Sequence, residues 1–72
     1  MVFNRKVYQV HAIGKEGSSV VGTYSSLKKA QIAVGKLSKD WKPGDIMYFK
    51  SDDGEEGTDI FEKFIIESFD VQ

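Results

Sequence analysis

Five carboxylates, Asp52, Asp53, Glu55, Glu56 and Asp59, fall within eight consecutive positions, separated by Gly54, Gly57 and Thr58. Carboxylates this close repel one another, and a cationic surface relieves that repulsion while steering association. The chemistry such a run offers is docking on another protein with a basic surface. Where that surface normally holds nucleic acid, the run serves as a phosphate mimic. Calcium binding is the other use of clustered acids, and here the spacing fails. With Gly57 at the sixth place of an EF-hand loop, Asp52 stands first, but Gly54 falls third and Lys63 twelfth, where a bidentate Glu is needed. A second cluster is cationic: Lys28, Lys29, Lys36 and Lys39 occur at helical spacing, and Arg5, Lys6 and Lys15 are available beside them. These lysines offer nucleic-acid binding as the alternative reading. A net charge of -1 argues against it, because domains that hold phosphates unaided are usually basic overall.

The two clusters divide the chain. Met1–Lys50 carries nine Lys/Arg against three Asp/Glu, net +6, and Ser51–Gln72 carries one against eight, net -7. Asymmetry of this kind marks an interaction face, or it is ordinary solvation in which strands interleave and the charges pair across the surface. Catalysis has less to stand on. His11 is the single imidazole, there is no Cys, and neither a Gly-rich phosphate loop nor a Gly-x-Ser-x-Gly elbow occurs. A general acid/base pair of His11 with Glu67 or Asp70 requires neighbouring strands to bring them within hydrogen-bond reach. We therefore expect a non-enzymatic chain with no cofactor and no metal.

The elements that position these residues follow from periodicity. Alternation over 6–13, a break at Gly14–Ser19 and a second β-rich run over 20–24 predict a hairpin with a mobile tip. Ser25 or Ser26 supplies the helix cap. Leu27, Ala30, Val34, Leu37 and Trp41, at spacings of three and four, predict a helix over 27–41 with one apolar stripe on a sheet. Gly35 in its interior costs about 1 kcal/mol relative to Ala, which predicts close approach of another backbone there. Lys42-Pro43-Gly44-Asp45 stops the helix. Strands follow at 46–50 and 61–71, with the acidic segment 51–59 as a surface loop. The fold class is α+β: an antiparallel sheet of three to four strands in ββαββ order, one helix packed on one face, in a single domain over 1–72.

Lys6-Val7-Tyr8-Gln9-Val10-His11, the block from Val21 to Val34, and Phe64-Ile65-Ile66-Glu67-Ser68-Phe69-Asp70 together resemble an uncharacterised family of small bacterial and bacteriophage domains. The resemblance covers about half the chain, rests on fold-making residues and implies a ββαβ core and a prokaryotic or phage origin. It brings no activity with it. Small phage proteins that inhibit host enzymes are the setting it implies for the acidic run. The segment from Asp45 to Glu62 is longer than the family pattern, which leaves the pairing of the 46–50 strand open.

A chain of 72 residues buries about 60% of its unfolded surface, so it has no cleft between lobes. The absence of Cys suits a reducing cytoplasm, and no apolar run is long enough to span a bilayer. The last strand is apolar on both faces: Ile65, Phe69 and Val71 on one, Phe64 and Ile66 on the other. One face packs on the helix. The other invites a homodimer through the sheet.

Overall fold

The computed structural model describes residues 5–50 and 53–71. Four strands and one helix run in the order β1 (Arg5–Gly14), β2 (Ser18–Tyr24), α1 (Leu27–Asp40), β3 (Ile46–Lys50) and β4 (Glu56–Val71). All pairings are antiparallel, and the sheet order is β2-β1-β4-β3. This is the predicted ββαββ α+β fold. No helix among the described residues is long and apolar enough to cross a membrane.

β4 is longer than the sequence pattern predicts. Instead of a surface loop reaching to 59, Glu56 to Ile60 pair with Lys50 to Ile46, and β4 then changes sides to pair with β1 from Phe61 to Val71. The reason is tertiary. β3 is too apolar to stand alone, and its neighbour accepts Gly57 and Asp59 because both are fitted to particular contacts. At Gly57 a Cβ would lie 2.6 Å from Phe49 Cζ, so the bare glycine lets the Phe49 ring lie across its strand. The molecule measures 46 × 30 × 15 Å along its principal axes. Its radius of gyration of 13.7 Å exceeds the roughly 11 Å of a compact chain of this length.

The core is small. Val10, Ala12, Ala30, Met47 and Phe61 are buried, with Val21, Trp41 and Phe64 packed partly buried against Ala12, Met47 and Phe61. Trp41 meets Phe61 edge-on at 5.2 Å and Phe64 at 5.5 Å, so three rings close the corner where the helix ends. Of the predicted helical stripe Ala30 is buried and Val34, Leu37 and Trp41 are half-buried, but Leu27 stays exposed at the first turn. No backbone approaches Gly35: a Cβ there would meet nothing within 4 Å, so the expected close approach does not occur.

The helix begins as predicted. Ser26 caps it, its Oγ accepting the Lys29 N–H at 3.1 Å. It ends in a turn in which the Asp45 N–H donates to Lys42 O and the Lys42 N–H to the Asp45 carboxylate. Pro43 fixes the turn's second residue, and Gly44 takes φ +96°, the left-handed region this third position requires. The turn is stitched to β4 by the Gly44 N–H on Phe61 O and the Phe61 N–H on Asp45 O, both 2.8 Å. Register places Val10, Ala12, Phe64 and Ile66 on the Trp41 side of the sheet. Val7, His11, Ile65, Glu67 and Phe69 lie on the other side, which no element covers among the described residues.

Candidate functional site

The predicted acidic run divides. Asp53 and Glu55 lie exposed in the connection between β3 and β4, and Glu56 is exposed at the first position of β4. Asp52 falls outside the described residues. Asp59 is corrected: it is a buried strand residue, 9% exposed, not a loop acid open to a partner. Its carboxylate accepts the N–H of Ile60 at 2.7 Å on Oδ1, and those of Glu16 and Gly17 at 3.1 Å on Oδ2. Burial acts to raise this carboxyl, but the amides of Ile60, Glu16, Gly17 and Lys15 outweigh it and hold Asp59 below the ordinary value of 3.8. The expected mobile tip at Gly14–Ser19 is therefore tied down. It closes through the Gly14 N–H on Gly17 O at 2.7 Å and is held to β4 by Asp59.

The remaining acids have apolar company. In β3 Tyr48 is 78% exposed, Ile46 60% and Phe49 37%. Alternation puts Tyr48 and Phe49 on opposite faces of the hairpin. Asp53, Glu55 and Glu56 sit beside them at the turn end. The signal was present in the notation Ile-Met-Tyr-Phe, which reads equally well as a buried strand. Two ring-bearing faces with a carboxylate end can seat on a surface that is apolar at its centre and basic at its rim.

The lysine cluster is real in geometry. Lys28, Lys29, Lys36 and Lys39 are all exposed on α1 and fall within an arc of about 100° at 3.6 residues per turn. The Lys29 ammonium donates to Ser25 Oγ at 3.3 Å.

His11 and Glu67 do come together, on the uncovered sheet face. Nε2 lies 3.7 Å from Oε2, longer than a hydrogen bond and within ion-pair distance for a protonated ring. That nitrogen is buried and has no hydrogen-bond partner among the described residues. The pair's neighbours in register, Gln9 and Ile65, supply no nucleophile. No group of three or more His, Asp or Glu that could hold a metal comes together among the described residues. A cleft of about 290 Å³ opens between Glu16–Ser19, Met47, Phe49 and Asp59. Of the two acids lining it, Asp59 has its carboxylate committed to backbone amides and Glu16 is exposed.

Compared with known proteins, the chain matches no family model, no curated protein and no solved structure.

Proposed function

We propose that this chain is a non-enzymatic protein-interaction module whose β3–β4 hairpin docks on a basic surface of a partner protein. The observation that carries this reading is Tyr48, 78% exposed on a strand whose next residue is also aromatic and whose turn end holds Asp53, Glu55 and Glu56. Aromatic anchors supply the contact energy of an interface, and rim charges set its encounter rate and register. An accessory inhibitor is the role that suits it, with the carboxylates competing for a basic surface that otherwise binds phosphates. A cytoplasmic setting fits a chain without Cys.

The test is capture of a partner from bacterial lysate by tagged protein after nuclease treatment, beside two variants. One is Tyr48→Ser; the other changes Asp52, Asp53, Glu55 and Glu56 to Asn or Gln and leaves Asp59 in place. A stoichiometric protein lost with both variants, each folded by circular dichroism, supports the hairpin. Retention of the same protein by both variants overturns it. The lysine arc on α1 gives the second reading, nucleic-acid binding. It predicts nuclease-sensitive capture, salt-dependent elution from heparin, and loss of both on changing Lys28 and Lys39 to Glu.

A further inference from the structure

The outer edge of β4 changes neighbour at Phe61. From Glu56 to Ile60 it carries β3, and at Phe61 it bonds Gly44 and Asp45. From Lys63 to Val71 no strand lies on that side among the described residues, because β1 occupies the other. An unpaired edge is a template for another strand, and proteins ordinarily blunt it with Pro, bulges, very short strands or charged side chains, of which this edge carries Lys63, Glu67 and Asp70. This stretch of nine residues has no Pro, and its pairing with β1 is regular from Ile13↔Lys63 to Arg5↔Val71. The opposite edge of the sheet, β2, spans seven residues, and its pairing with β1 shifts register between Val10 and His11 of β1.

We propose that a second copy of this chain pairs antiparallel with β4 over Lys63–Val71, about a two-fold axis at Glu67, joining the two sheets edge to edge. The register follows from exclusion. In antiparallel pairing directly opposite residues share a face, so the axis passes through a residue and each choice fixes every pair. An axis at Ile65 drives the partner's Phe69 into the place at Phe61 already bonded by Gly44 and Asp45. An axis at Ile66 brings the partner's Val71 to the same occupied place at Phe61 and sets Glu62 opposite the partner's Asp70, twice over. An axis at Ser68 shortens the pairing to Ile65–Val71 and leaves Lys63 and Phe64 unpaired.

The axis at Glu67 uses the whole free stretch, setting Ile65 opposite the partner's Phe69 and Lys63 opposite the partner's Val71 on the uncovered face and Phe64 opposite the partner's Asp70 on the other, each twice. Phe69 and Val71, each 43% exposed, are thereby covered. Its single like-charge meeting is Glu67 with the partner's Glu67, each exposed and beside its own His11. This pairing uses a different part of β4 from the docking hairpin and stands or falls independently of it.

The absence of Cys makes the test direct. Opposed residues in an antiparallel pair have Cα atoms about 4.5–5.5 Å apart, within disulfide range. Glu67→Cys is expected to cross-link to a covalent dimer under mild oxidation, and Val20→Cys, on the far strand, is not. Light scattering after size exclusion is expected to give a dimer for the unaltered protein. Phe69→Lys is expected to weaken that dimer by about tenfold or more, since the two-fold loses the contact twice. Glu67→Gln is expected to tighten it. A monomer across the concentration range overturns the proposal. So does a dimer in which Val20→Cys cross-links in preference to Glu67→Cys, or that Phe69→Lys leaves intact.

Discussion

Asp59 of β4 reaches over Gly14 of β1, and the carboxylate occupies the space that a Cβ at position 14 would need. The missing side chain lets the acid reach the amides of the β1–β2 turn. Gly14→Ala is expected to destabilise the fold by about 1–3 kcal/mol, the usual range for overpacking a fitted position. Urea denaturation followed by circular dichroism measures it. A loss close to zero would mean that the turn does not depend on this contact.

The same carboxylate makes stability depend on acid. Its pKa in the folded chain lies below the ordinary value of 3.8, so its contribution is complete above that value and is lost as pH falls through the folded pKa. Asp59→Asn removes this titration. Between pH 5 and pH 2.5 the variant's melting temperature is expected to fall less steeply than that of the unaltered protein. Parallel curves would show that other carboxylates carry the acid response.

Two glycines should respond in opposite directions. Gly35 sits in an exposed helix interior with nothing near its missing Cβ, so Gly35→Ala is expected to stabilise by about 0.5–1 kcal/mol. Gly44 has φ +96°, and Gly44→Ala is expected to cost about 1 kcal/mol or more, the strain a side chain adds there. Thermal melts of the two variants give the comparison.

Phe61 is the largest residue in a core of few members, and Trp41 is the single tryptophan. Phe61→Ala is expected to cost about 3–5 kcal/mol and to shift Trp41 emission to the red, because the indole loses its edge contact at 5.2 Å. Fluorescence in buffer and in denaturant separates local exposure from unfolding.

How much of this was legible depends on where each residue's reason lies. β1, the Ser26 cap and the helix repeat patterns of period 2 and 3.6 that are local, and they were readable in the sequence. So was the stop at Lys42-Pro43-Gly44-Asp45. The start of β4 was not, because Glu56-Gly57-Thr58-Asp59 has the composition of a turn. Its strand character comes from Phe49 lying over Gly57 and from amides of Glu16 and Gly17 converging on Asp59, contacts between residues distant in sequence. That is also why Asp59 was grouped with acids whose exposure it does not share. The sequence did not separate Tyr48 from the aromatics of the core, since a strand's pairing partner decides which of its faces meets the helix.

β4 is the one strand that touches both halves of the sheet: Ile46 pairs with Ile60, and Arg5 pairs with Val71. Until it has been made, β1 has just β2 beside it, and β3 has no strand at all. The emerging chain therefore holds a lone hairpin and a helix of marginal length on the ribosome, and its native order can arise only after synthesis has passed Val71. Contacts this distant along the chain place its folding among the slower small domains, in milliseconds to seconds.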